Sequence, residues 1–168
     1  MGQRIAIALS GGADSALAAA ILREEGYDVF ALHGRFTDSS ASVEQAESAR
    51  TVAKHLGMRI DTVDLSSEFN RAVVDTFCTE YASGRTPNPC VVCNMSVKFG
   101  ALLRVAREKG AELLATGHYA RTVTDEDGTR LLRAVDHGAD QSYFLYRVDS
   151  SSLSRSLLPL GHLRRSEV

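Results

Sequence analysis

Ile5-Ala-Ile-Ala-Leu9 is a short apolar run with β-branched residues, and Gly11-Gly12 separates it from a second apolar stretch, Ala16 to Leu22. That pattern predicts a buried strand, a tight turn and a helix that Gly26 ends. Tyr27 to His33 is another apolar run, and Gly34-Arg35 follows it. Ser42 to His55 carries Val43, Ala46, Ala49, Val52 and Ala53 at helical spacing, with Gly57 as its stop. Met58 to Leu65 alternates apolar and polar residues, the period of a third strand. The order strand, helix, strand, helix, strand predicts an α/β fold, a Rossmann-like doubly wound parallel sheet. Ligands of such sheets bind beyond the carboxyl ends of the strands, where the strand order switches.

Farther along, Phe69, Val73, Phe77 and Tyr81 recur every four residues and predict an amphipathic helix over 68–83. Cys78 falls within it and reads as inert core, the usual state of a lone cysteine in an apolar helix. Gly84-Arg85-Thr86-Pro87-Asn88-Pro89 interrupts regular structure, because each proline lacks a donor and biases its predecessor away from the helix, and predicts a rigid loop that delivers Cys90 to the start of a further helix. A helix is expected from about Asn94 to Lys109, with Met95, Phe99, Leu102, Leu103 and Ala106 inward and Lys98, Arg104, Arg107 and Lys109 on a solvated face. Ala111 to Thr116 reads as a fourth core strand, and Gly117-His118-Tyr119 lies at its carboxyl end. Arg121 to Ala134 reads as a hairpin about Asp127-Gly128. A short helix near Ser151 to Leu158 precedes Pro159-Leu160-Gly161.

The 168 residues fit one domain, and 44% apolar with 24% charged residues is ordinary for a globular protein. No run of uncharged apolar residues approaches a bilayer span, and Met-Gly-Gln-Arg leads straight into a strand, so no membrane partner and a cytoplasmic location are expected. A net charge of −2 does not announce a nucleic-acid binder, although a local basic face is enough to meet phosphates. Three cysteines without a secretion signal favour redox, catalytic or metal chemistry over a structural disulfide.

The turn Ser10-Gly11-Gly12-Ala13-Asp14-Ser15 is the first candidate site. A helix start directs unpaired N–H groups and the positive end of its dipole at one point, which suits a phosphate. Gly11 and Gly12 permit close approach, Ser10 and Ser15 can donate, and Asp14 can cap the helix or help hold Mg2+ on the phosphates. The plain alternative is a strand-to-helix turn with Asp14 as an ordinary cap. Cys90-Val91-Val92-Cys93 is the second candidate. Its position at a helix start predicts a lowered thiol pKa and a usable nucleophile. Two thiols three apart can close a disulfide, exchange sulfur or supply half a metal site. A zinc site lacks its other half, since the five histidines, at 33, 55, 118, 137 and 162, show no paired spacing.

Ser-Gly-Gly-x-Asp-Ser after an amino-terminal strand resembles the PP-loop of the ATP pyrophosphatases, whose fold is that of the adenine nucleotide alpha hydrolases. Thr86-Pro-Asn-Pro-Cys-Val-Val-Cys-Asn94 with Lys98-Phe99, Ala115-Thr-Gly-His-Tyr-Ala-Arg121, Asp140-Gln-Ser-Tyr-Phe-Leu145 and Pro159-Leu-Gly161 resemble, in order, the motifs of the tRNA-specific 2-thiouridylases. That family adenylates O2 of the wobble uridine with ATP, and a protein persulfide then displaces AMP. The resemblance implies that Ala8, Leu9, Ser10, Gly11, Gly12, Ala13, Asp14, Ser15, Gly34 and Gly117 bind ATP with Mg2+. It implies that Asn88, Pro89 and Cys90 meet the target base, that Ala139, Asp140 and Gln141 meet tRNA, and that Cys93, with Cys90 beside it, is catalytic. It also implies a persulfide donor protein, a relay from a cysteine desulfurase, as partner.

The sequence departs from the family at Ala139, where a lysine is usual, and at Ala16, commonly serine. The dithiol Cys90/Cys93 is the form that in related enzymes holds an iron–sulfur cluster, a [4Fe-4S] site, with a third cysteine. The family's persulfide cysteine and its central and carboxyl-terminal domains lie beyond the equivalent of Val168, so residues 1–168 are expected to be the ATP-binding catalytic domain of a longer or shortened enzyme. The rival expectations are another PP-loop sulfurtransferase or synthetase, and an ATP-binding module without chemistry.

Overall fold

The computed structural model describes residues 2–167. Strand β1 (Arg4–Ala8) lies between β2 (Asp28–Arg35) and β4 (Leu113–Ala115), and β3 (Ile60–Asp64) and β7 (Ser156–Leu157) flank them, in the order β3-β2-β1-β4-β7 with every pairing parallel. Two strands, β5 (Ala120–Asp125) and β6 (Gly128–Arg133), form the separate antiparallel hairpin that the Asp127-Gly128 pair predicts. Consecutive strands β1, β2 and β3 run outward, then the chain returns to place β4 on the other side of β1. The switch in order therefore falls between β1 and β4.

Alternation within β1 explains the layers. Ile5 and Ile7 face one way and join helices α1 (Ala13–Glu24) and α2 (Ser40–His55) through Ala18, Leu22, Ala49 and Ala53. Ala6 faces the other way and joins helices α3 (66–82) and α4 (Pro89–Glu108) through Val73, Val97, Leu102 and Ala106. Coverage of both faces is what continuous apolar strands require. Small residues on α2 let it approach closely, whereas Val43, expected on its inner face, is exposed.

Four expectations change. The terminal stretch holds a one-turn helix α5 (Ser150–Leu153) and then β7, a two-residue strand too short to show a period. Helix α4 starts at Pro89, five residues before the expected position, and its segment Cys93–Leu102 is π-helical, with the Leu103 amide bonded back to the Lys98 carbonyl. The wider turn buries polar Asn94 and leaves Met95 half-buried. In α3, buried Val73 lies within a π turn at Asn70–Val74, whereas Phe77 and Tyr81 beyond it are exposed and stack on each other, and Cys78 is exposed rather than core. Finally, α4 is long and apolar enough to cross a membrane by length and composition, contrary to the expectation that no segment is. Its Val97, Phe99, Leu102 and Ala106 are packed against the protein, as in the core helix of a doubly wound domain.

Candidate nucleotide and thiol site

The loop after β1 organises itself before any ligand is considered. Leu9 N–H bonds to the Leu32 carbonyl of β2, and the His33 Nδ1–H donates to the Leu9 carbonyl at 2.9 Å. Gly11 has φ +88, and a Cβ there would lie 2.8 Å from the Gln45 carbonyl oxygen and 2.9 Å from Ser48 Cβ, so glycine alone lets the loop rest on α2. Gly12 is the N-cap of α1 and supplies no side chain. The serines take over. Ser15 Oγ donates to the Gly12 carbonyl at 3.0 Å and accepts from Ser10 N–H at 3.2 Å, while Ser10 Oγ accepts from Gly12 N–H at 3.3 Å. Asp14 does not cap the helix. It stands in the first turn and accepts from the Tyr119 hydroxyl at 3.1 Å.

That bond ties the loop to the end of β4. Gly117 lies against the first turn of α1, where a Cβ would meet Ser15 N at 2.8 Å and the Asp14 carbonyl carbon at 2.9 Å. Between the two strand ends opens a cavity of about 220 Å³. It brings together Ala8, Leu9, Ser10, Asp14, Ser15, Gly34 and Gly117 with Gln141; Gly11, Gly12 and Ala13 stand in the same loop but do not line it. First-turn amides of α1, which have no intrahelical partners, and the helix dipole make this end attractive to an anion.

The cavity also holds residues to which no site role was assigned from sequence. Lys98 reaches it from α4, and Thr116 and His118 reach it from the end of β4. Burial, and then the charge of Lys98, push the His118 pKa down to about 3, so the imidazole is neutral. Its Nδ1 lies 2.8 Å from Thr116 Oγ1. Lys98 carried a signal in the Lys-Phe motif, but helical period alone put it on the solvated face. Only the π register and the packing of α4 turn it inward.

Asn88 caps α4, accepting from Cys90 N–H at 3.1 Å, and Pro89 occupies the first helical position, where its missing donor costs nothing. The Pro-Asn-Pro loop thus does fix the position of Cys90. Cys90 is exposed in the first turn, and Cys93 is a turn farther in and half-buried. Burial pushes the Cys93 thiol up; the Lys98 charge acts in the opposite direction, and Cys90 adds to the rise. The lowered pKa expected at a helix start therefore does not hold for Cys93, because the dipole acts on the first turn and burial dominates beyond it. All three cysteines are free. Among the described residues no three His, Cys, Asp or Glu side chains converge, and Cys78 lies out on α3, so these residues do not by themselves fit a [4Fe-4S] cluster.

Ala139, Asp140 and Gln141 separate in role. Ala139 is buried. The Asp140 carboxylate accepts from Ala134 N–H at 2.9 Å, Arg133 Nε at 3.0 Å, Ser142 Oγ at 2.9 Å and Ser142 N–H at 3.3 Å, which holds the hairpin to the following turn. Burial pushes its carboxyl up, but those bonds together hold it below its ordinary value. Gln141 accepts from Tyr119 N–H through Oε1 at 3.0 Å and lines the cavity. Asp140→Ala should cost about 1–3 kcal/mol, the scale of leaving the buried Ala134 N–H and the half-buried Ser142 donors unpaired. A lowered folded-state pKa stabilises above the unfolded aspartate value and loses that contribution as pH falls through the folded one. Denaturant titrations of the two proteins should therefore differ at pH 7 and converge in acid; a constant gap would contradict the assignment.

Fold and loop together define a Rossmann-like domain of the PP-loop class, with its site at the switch between β1 and β4. The chain belongs to the tRNA methyl transferase HUP domain family, whose model matches residues 3–168. It is 47% identical over 163 residues to the tRNA-specific 2-thiouridylase MnmA of Pelobacter propionicus, covering 95% of this chain and 46% of that protein. It is 46% identical to the protein of the same name from Geobacter metallireducens, covering 99% of this chain and 49% of the relative. The chain thus spans about half the length of these relatives. Among solved structures, a predicted subunit of tRNA methyltransferase from Methanocaldococcus jannaschii aligns with TM-score 0.60 and 18% identity over 98% of this chain and 71% of its own, a likeness of fold. The U34-tRNA thiolase NcsA of Methanococcus maripaludis, with its [4Fe-4S] cluster, aligns at TM-score 0.51 and 24% identity over 69% of this chain and 38% of its own.

Proposed function

We propose that this chain is the ATP-binding catalytic domain of a tRNA 2-thiolation enzyme, residues 1–168 acting as one domain. ATP lies with its phosphates against Ser10 to Ser15 and its remaining contacts along Ala8, Leu9, Gly34 and Gly117, and Asp14 helps hold Mg2+ on the phosphates. Uridine O2 attacks the α-phosphorus and pyrophosphate leaves. The outer sulfur of a cysteine persulfide then attacks C2 and AMP departs, because adenylation has turned a poor leaving oxygen into a good one. A second cysteine thiolate attacks the inner sulfur, the S–S bond breaks to leave sulfur on C2, and a thiol reductant reopens the disulfide that remains. Cys93 is the nucleophilic thiol, with Asn88, Pro89 and Cys90 at the base and Gln141 beside it. The sulfur comes from a donor protein fed by a cysteine desulfurase, and the setting is the cytoplasm, where tRNA and ATP meet. A [4Fe-4S] cluster on Cys90 and Cys93 needs at least one ligand from outside the described residues.

The observation that carries this reading is one convergence: the glycine loop, Gly117 and Gln141 line a single cavity that Lys98 enters from the helix bearing both motif cysteines. Its test is pyrophosphate release from ATP with and without unmodified tRNA. Release should depend on tRNA, and Cys93→Ser should keep that release while losing 2-thiouridine formation to background. ATP binding without any tRNA-stimulated turnover, in a protein carrying the full length of its relatives, would leave only a nucleotide-binding module.

A further inference from the structure

Beside the cavity, the chain exposes two large aromatic side chains on a rigid base. Tyr143 and Tyr146 are 64% and 62% exposed, and their ring centroids lie 5.9 Å apart at 35°. The 3-10 turn Ser142–Leu145, which carries Tyr143 and is capped by Tyr146, is fixed from several sides. Leu145 is fully buried and Val148 nearly so. Phe144 N–H bonds to the Gln141 carbonyl at 3.0 Å, and Asn94 Nδ2 donates to the Phe144 carbonyl at 3.1 Å. Asn94 follows Cys93 directly in the chain, and Gln141 lines the cavity. The turn that presents the rings is therefore tied on one side to Gln141 of the cavity and on the other to Asn94, the neighbour of Cys93. Arg147 next to them is exposed and forms no ion pair among the described residues.

We propose that Tyr143 and Tyr146 are a stacking platform for an unpaired base next to the modified uridine, with Arg147 meeting the adjoining phosphate; this rests on the reading of the site as one that acts on RNA. A uridine that enters the cavity must leave the stack of its loop, and its neighbours lose a stacking partner. Aromatic faces replace that partner without reading sequence, and exposed rings already held in place lose little entropy in doing so. Arg147 beside the rings is charged and Ser142 and Asp149 are polar, a setting that suits a phosphate-bearing strand.

The probe is an RNA hairpin whose loop holds one uridine followed by 2-aminopurine, added to the protein with a non-hydrolysable ATP analogue. Wild-type protein should quench 2-aminopurine, as stacking does. Tyr143→Ala and Tyr146→Ala should each weaken hairpin binding about tenfold and relieve the quenching, whereas the phenylalanine variants keep both. ATP affinity should stay unchanged throughout. If wild-type protein shows RNA-stimulated pyrophosphate release while the alanine variants bind and quench as it does, the platform is wrong and the thiolation reading stands. If the alanine variants instead turn a dimer into a monomer with hairpin affinity intact, the rings serve a second copy and the proposal fails. Absence of hairpin binding and of RNA-stimulated release in the wild type would overturn both.

Discussion

Gly117→Ala should cripple nucleotide binding while leaving a folded protein. The added Cβ would sit 2.8 Å from Ser15 N, 2.9 Å from the Asp14 carbonyl carbon and 3.0 Å from its oxygen, all main-chain atoms of the first turn of α1. No side chain can swing aside to relieve that contact. Either the end of β4 retreats or the start of α1 moves, and both stretch the bond from Tyr119 to Asp14. Overpacking of this kind costs about 1–3 kcal/mol, or a fall in Tm of several degrees for a chain of this size. The effect on ligand is larger, because the methyl group approaches the very amides that would receive phosphate; ATP affinity should drop at least tenfold. Calorimetric titration with ATP alongside a thermal melt checks it, and a variant that binds ATP within twofold of wild type would show that Gly117 does not border the nucleotide.

Gly161→Ala should be the most damaging single methyl addition in the fold. A Cβ there would lie 1.8 Å from the Ala120 carbonyl oxygen, 2.6 Å from its carbon and 2.7 Å from Arg121 Cγ. Gly161 is buried in the turn Pro159–His162, its carbonyl accepts from Val135 N–H at 3.0 Å, and Leu160 beside it is fully buried. The turn therefore cannot back away without pulling the hairpin or the core apart. The cost should exceed about 4 kcal/mol, against the 5–15 kcal/mol that stabilises a typical domain. His162→Ala, next in the chain and exposed, should stay within about 0.5 kcal/mol. Urea titration of the two variants gives the comparison, and equal midpoints would mean the contact with Ala120 is looser than the structure has it.

Local chemistry announced itself wherever the backbone was the cause. Gly11, Gly12 and the flanking apolar runs foretold the strand, turn and helix around the glycine loop, and Pro-Asn-Pro foretold a fixed presentation of Cys90. Side chains whose roles depend on distant partners did not. Cys78 shares its apolar spacing with core residues but faces out, because a π turn at Asn70–Val74 rotates the later half of α3. Asp140, expected to meet tRNA, spends its carboxylate on Ala134, Arg133 and Ser142. His118 showed only as part of a motif, and nothing near it in sequence discloses that burial keeps it neutral.

The amino-acid sequence by itself determined the alternation of strands and helices, the parallel doubly wound sheet, the glycine loop at its first strand end and the family, because these follow from period, backbone permissiveness and the order of motifs along the chain. Tertiary structure alone decided that Lys98 faces the cavity, that Cys93 is half-buried with a raised pKa, and that Gly117 presses on the start of α1. Each of those depends on segments far apart in sequence coming into contact, and on the water that contact excludes, neither of which leaves a trace in local pattern.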